Sequence, residues 1–156
     1  MINPDQLVVF TLDNYHYAVQ LSAVERAVRL VEITPLPKAP EIVIGVINLQ
    51  GRIVPVLNMR KRFRLPEREM RLNDQLLIAN TKNRTVALVV DEVCGTIERS
   101  AQEAIESGEI VPGLEYVTGV IKLADGMLFI HNLDEFLSLD EEESLKAALT
   151  TEKAQV

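Results

Sequence analysis

Thiol and imidazole chemistry is scarce in this 156-residue chain, which has one cysteine, Cys94, and two histidines, His16 and His131. A nucleophilic pair would need Cys94 beside His131, with Asp91 or Asp134 orienting the ring. The stretch Val89-Val90-Asp91-Glu92-Val93-Cys94-Gly95 instead sets the cysteine at the end of an apolar strand, where a lone thiol is expected to be a small buried hydrophobe. The histidines lie in separate segments without HxxH or CxxC spacing, so they read as surface or edge-strand residues rather than metal ligands. Of the two carboxylate runs, Asp91-Glu92 lacks glycine-punctuated calcium spacing, and Asp140 to Glu143 reads as a helix N-terminus. The seven glycines are scattered singly, which excludes a phosphate-binding loop. The expectation is a protein that is not an enzyme and takes no cofactor or metal.

Charge narrows the partners. The net charge is −7, so no global field draws the chain to nucleic acid or anionic lipid. One stretch runs the other way: Arg60, Lys61, Arg62, Arg64, Arg68 and Arg71 lie close together, offset by Glu67 and Glu69. Small barrels bind nucleic acid through basic grooves with stacking aromatics, but only Phe63 is interleaved here, placed to pack under a short helix. The stretch reads as a solvated amphipathic turn, with a docking surface for an acidic protein as its main competitor. A single cysteine forms no internal disulfide, Met1 to Asp5 carry no signal-peptide pattern, and no apolar run approaches roughly 20 residues. A cytoplasmic protein without direct membrane insertion is expected.

The elements that would position such residues are mostly strands. Short β-branched runs bounded by turn residues cover Gln6 to Leu12, Tyr15 to Leu21, Val24 to Ile33, Ile44 to Leu49, Arg52 to Leu57, Gln75 to Asn80, Thr85 to Val90, Val117 to Leu123 and Met127 to His131. Gln50-Gly51 and Asp125-Gly126 read as two-residue hairpin turns. Pro40 to Val43, Asn58 to Phe63 and Asn132 to Leu137 each suit a helical turn, and Glu141 to Leu149 suits a helix with acids at its start and Leu145 and Leu149 on one face. About nine to eleven strands with little helix predict a mainly β fold, two small barrels or a sandwich, with a crossover between halves in the polar stretch near 64–74. Within it, Ile44 to Met59 is apolar almost throughout, yet Asn48, Gln50 and Pro55 interrupt it. A buried strand pair with a polar tip invites a partner at that tip.

That segment resembles a known family. Gly45 to Met59 (GVINLQGRIVPVLNM) is similar to the G-V-x-N-L-R-G-x-I-(I/V)-P signature of CheW-type chemotaxis coupling proteins. The surroundings agree in order: Leu7 to Leu12, then Tyr17-Ala18-Val19, the Thr34-Pro35 to Pro40 loop, Val86 to Val93 (VALVVDEV), and Tyr116 to Gly119. The resemblance covers about residues 6–139 and leaves 140–156 as a C-terminal helix and tail.

The resemblance implies two five-stranded SH3-like barrel subdomains around a shared hydrophobic core, with the first strand a candidate to swap between halves. It implies a non-enzymatic adaptor joining the cytoplasmic hairpin tip of chemoreceptors to a CheA-like histidine kinase regulatory domain. The receptor tip would lie in the groove between subdomains, the kinase on flanking strands, with ring-forming self-association and recruitment to membrane-associated receptor arrays. A paralogue that fills array positions without activating the kinase uses the same surfaces. The residues the resemblance assigns to partner binding are Val24, Arg26, Val28, Asn48, Gln50, Gly51 and Arg52, with Val93 and Gly95 at the second-half edge. Apolar members would receive receptor side chains, Asn48, Gln50 and Gly51 would hold the tip, and Arg26 and Arg52 would set partner choice by charge. Two positions depart from the family pattern: Gln50 stands where arginine is usual, and Arg26 where glutamate is usual. Arginine at both would set like charges together, which suggests a coupled change and predicts Arg26 and Gln50 on neighbouring strands within side-chain reach.

Overall fold

The structure, a computed structural model, describes residues 6–98, 104–105, 117–124 and 126–154. Strands form where β-branched residues alternate between two apolar environments. The first hairpin is β1 (Gln6–Leu12) and β2 (Tyr15–Gln20), turned by Asp13 and Asn14, both at positive φ. Asp and Asn tolerate that region better than other side chains. A 3₁₀ turn, Leu21–Ala23, leads into β3 (Val24–Arg29), β4 (Val43–Leu49), β5 (Arg52–Leu57) and the short helix α1 (Met59–Arg62). Then come β6 (Gln75–Asn80), β7 (Thr85–Val90), β8 (Glu92–Glu98), the two-residue β9 (Ala104–Ile105), β10 (Val117–Leu123), β11 (Gly126–His131) and a 3₁₀ turn, Leu133–Glu135. Helix α2 (Leu139–Ala154) closes the chain, with Asp140, Glu141 and Glu142 in its first turn.

The strands form two sheets, ordered β3-β6-β7-β5-β4 and β8-β1-β2-β11-β10-β9. The first hairpin therefore joins the C-terminal strands, and the chain changes sheets at the Leu21–Ala23 turn and again at Asp91. The crossover expected near 64–74 is not one: that segment connects α1 to β6 within the five-stranded sheet. Polar composition marks a long connection, but not which sheet it leads to.

Neither sheet is a closed barrel among the described residues. The five-stranded sheet comes closest, because its chain continues past β3 to Thr34, which exchanges two hydrogen bonds with Val46 of β4 (2.9 and 2.8 Å). Pro35 and Pro37 follow immediately, and residues without an N–H cannot extend that bridge into a ladder. The close approach also fixes one glycine. A Cβ on Gly45 would lie 2.3 Å from the Thr34 carbonyl oxygen and 2.9 Å from Ile33 Cγ2.

Most strands are buried on both faces, which is why the sequence shows near-continuous apolar runs. On β1, Val8, Phe10 and Leu12 face the core shared by the sheets, while Leu7 and Val9 face a cluster inside the six-stranded sheet with Ala18, Ile121, Leu128 and Ile130. On β6 and β7, Leu77, Ala79, Val86, Leu88 and Val90 enter the shared core, and Leu76, Ile78 and Ala87 a third cluster with Ile47, Leu49, Val54 and Val56. Phe63, Phe136 and Leu145 cap the shared core, so α1 and α2 are packed parts of the domain. Asp125 and Tyr116, named in the sequence reading, lie outside the described residues.

Candidate functional site

The segment singled out by its polar interruptions is the β4–β5 hairpin. Gln50 (φ 51°) and Gly51 (φ 87°) both occupy the left-handed region. That is the two-residue turn that matches strand twist, and for a glutamine it costs about 1 kcal/mol. Asn48 Oδ1 accepts the Gly51 N–H at 2.8 Å and holds the turn in place. Asn48, Gln50, Gly51 and Arg52 are thus gathered at one exposed tip, followed by the half-exposed side chain of Ile53.

A carboxylate meets this tip from β3. The β3–β6 register shifts between Val24 and Arg26, so Glu25 is the extra residue of a bulge. A bulge re-aims its side chain, and here Glu25 Oε1 and Oε2 accept from Arg52 Nη1 (3.3 Å) and Nη2 (2.9 Å). The Arg52 hydrogen bond holds the Glu25 carboxyl below the usual range against desolvation, and the Arg52 charge, Asn80 and Arg26 add to the lowering. Glu25 in turn raises the Arg52 guanidinium.

The neighbouring-strand placement expected for Arg26 and Gln50 is not found. Arg26 lies on β3, whose neighbour is β6, and Gln50 lies in the turn of β4 and β5, beyond β7 in the same sheet, so the two are not on neighbouring strands. The acid–base pair at this end is Glu25–Arg52. Sequence reasoning missed Glu25 because an ungapped comparison cannot show which residue a bulge turns outward.

The remaining assigned residues are more dispersed. Val24 is half-buried against the shared core, and Val28 packs against the cluster inside the five-stranded sheet. Val93 and Gly95 belong to the other sheet, on edge strand β8. Val93 is half-buried and donates its N–H to Gln75 Oε1 at 2.6 Å. Gly95 (φ 118°) follows a bulge, since the β1–β8 register shifts across Cys94. That bulge turns Cys94 outward, so the cysteine is exposed rather than buried. Desolvation and the Glu92 charge push its thiol up, away from the reactive thiolate.

His131 is not beside Cys94. In the order β8-β1-β2-β11 three strand spacings separate their strands, about 14 Å. Nor is His131 an edge residue: it is buried at the junction of the sheets among the rings of Tyr17, Phe63 and Phe136. Asp134, the proposed orienting acid, accepts the Lys82 N–H at 2.7 Å instead.

The basic stretch also has a different role from the one its composition suggested. Arg60 is buried, and its Nη1 donates to Asp13 Oδ1 (2.6 Å) while Nη2 donates to both Asp91 oxygens (2.9 Å each). Arg68 bridges Asp91 (2.7 Å) and Asp74 (2.7 and 3.0 Å), and Arg62 pairs with Glu141 of α2. Asp13 belongs to the first hairpin, Arg60 to α1, and Asp91 stands where the chain changes sheets, so this network clasps the two sheets together. Three of the six cations serve the fold instead of forming a solvated turn, because a charge taken out of water must be paired.

At the end of the molecule carrying Asn80, a cleft of about 650 Å³ opens between the sheets, lined by Gln20, Ser22, Asn80, Lys82, Asn132 and Asp134 among others. Its polar rim adjoins Glu25 through Asn80. Among the described residues no helix is long and apolar enough to cross a membrane.

Comparison with known proteins agrees with this architecture. The CheW-like domain model matches residues 6–141. The chemotaxis protein CheW of Treponema pallidum is 27% identical over 146 residues, covering 90% of this chain and 86% of its own. That of Bacillus subtilis is 28% identical over 145 residues, covering 92% of each. The crystal structure of the scaffolding protein TtCheW from Thermoanaerobacter tengcongensis superposes with a TM-score of 0.79 at 28% identity, covering 89% of this chain and 96% of that one. A match spanning both sheets and the whole β4–β5 hairpin means that this chain belongs to the CheW family of chemotaxis scaffold proteins.

Proposed function

We propose that this chain is a non-enzymatic adaptor that couples the cytoplasmic helical hairpin of a chemoreceptor to the regulatory domain of a CheA-type histidine kinase. The observation that carries the reading is the family match across residues 6–141, which includes the hairpin signature. Two features support it. A cleft of about 650 Å³ between the sheets offers side chains of a docked helical tip a place to insert. Around it stand a turn fixed by Asn48 and an arginine fixed by Glu25, side chains ordered before any partner arrives. In this reading Val24, Val28 and the hairpin tip face the receptor, and Val93 and Gly95 lie where the kinase domain docks. The protein works in the cytoplasm and is recruited to receptor arrays.

The test is co-sedimentation of the full chain with a soluble receptor signalling-tip fragment and, separately, with the kinase regulatory domain. Binding to both is expected. Binding to neither would overturn the reading.

A further inference from the structure

Among the described residues, strand β8 is an edge paired to β1 alone, and its register on β1 breaks at the Cys94 bulge. A bulge interrupts the ladder, and an edge strand has no second neighbour to make good the loss. The start of β8 is tied instead to the five-stranded sheet, at two points. Asp91, immediately before the strand, is held by Arg60 and Arg68. Two residues on, the Val93 N–H is accepted by Gln75 Oε1 at 2.6 Å, a half-buried side chain of the other sheet. Val93 itself packs against the shared core, so the two ties and the core fix where β8 begins.

Gln75 is the first residue of β6. Its partner on β3 is Arg29, at the end of the strand that carries Val24, Arg26 and Val28. Its partner on β7 is Val90, the last residue before the chain changes sheets. One residue thus joins the strand assigned to the receptor, through its backbone, to the strand assigned to the kinase, through its side chain. We propose that Gln75 is a positioning residue, whose carboxamide sets the start of β8, and with it Val93 and Gly95, in the orientation on which the kinase regulatory domain docks. This role rests on the receptor–kinase reading and adds to it a residue that the reading does not contain. Gln75 need not touch the partner. It acts through the Val93 main chain, by supplying an acceptor for a donor on an edge strand.

The test compares the full chain with its Gln75→Met variant, whose side chain has similar reach and no oxygen to accept the N–H. Affinities for the kinase regulatory domain and for a receptor signalling-tip fragment are measured separately, and amide exchange at Val93 is followed by NMR. The variant is expected to bind the kinase domain about tenfold more weakly and to keep its receptor affinity within about twofold. Its Val93 N–H should exchange about tenfold faster, as loss of one hydrogen bond requires. Equal kinase affinities for parent and variant would overturn the proposal and leave the receptor–kinase reading standing. Parallel losses toward both partners would overturn it too, because they mark a general destabilisation. So would unchanged exchange at Val93, which would mean that Gln75 does not hold that N–H. A parent chain that fails to bind the kinase domain would remove the reading itself, and the proposal with it.

Discussion

Glu25, lifted out of the β3 ladder by a bulge, accepts hydrogen bonds from both terminal nitrogens of Arg52, joining the first strand of the five-stranded sheet to the hairpin at its other edge. Both side chains are substantially exposed. An exposed pair contributes little to stability, yet it fixes the direction of a charge beside the partner cleft.

Arg52→Gln should therefore leave the melting temperature within about 3 °C of the parent while weakening partner binding about tenfold. Circular dichroism melts and a binding titration check this. A large loss of stability with unchanged binding would make the pair structural instead.

Arg60 should behave in the opposite way. Replacing it with methionine leaves Asp13 and Asp91 without their shared cation, and breaking a buried pair from one side costs about 3–5 kcal/mol. Chemical denaturation should show that loss, and a change below about 1 kcal/mol would contradict the clasp.

Gly45→Ala is expected to destabilise by about 1–3 kcal/mol. Its methyl would press on the Thr34 carbonyl at the bridge that draws the five-stranded sheet together. A neutral effect in denaturant melts would mean that the Thr34–Val46 bridge yields freely.

Stability should fall at both ends of the pH scale. Burial pushes the Asp74 carboxyl up, but Arg68 and the Arg71 N–H outweigh it and hold the group below its ordinary range. Burial likewise acts on Glu141 and is outweighed by Ser138 and Arg62. Groups with depressed native pKa bind fewer protons folded than unfolded. Their contribution is present above the ordinary carboxylate pKa, about 4, and is lost as pH falls through the native value. Tyr17 has the reverse sign: burial pushes it up to about 12, so its contribution is lost as pH rises past about 10. Denaturation midpoints against pH should show a plateau between these limbs, and Asp74→Asn should flatten the acid one. An acid limb unchanged by that substitution would contradict the assignment.

Much of the fold was legible because alternation, turn pairs and prolines act locally. The hairpin at Gln50-Gly51, the strand runs and the α2 start follow from residues within a few positions of one another. What failed was set by distance or by single-residue insertions. The edge strand β8, with Glu92, Cys94, Thr96 and Glu98 exposed, has no apolar run to announce it. Bulges at Glu25 and Cys94 reversed which side chains face out, and no local pattern signals a bulge. Arg60 looked solvated because its partners, Asp13 and Asp91, are remote in sequence and near only once the two sheets have packed. Of the candidate site, the tip residues Asn48 to Arg52 were visible from their polar interruption, whereas Glu25 needed the fold to bring it to the tip.

The central claim is receptor–kinase coupling, and autophosphorylation of the cognate kinase measures it most directly. The kinase would be assayed with receptor signalling fragments, with and without this chain. Phosphorylation that rises with added protein, and rises less with Arg52→Gln, is the expected result. Kinase activity that stays flat across the titration, although both partners bind, would contradict the account.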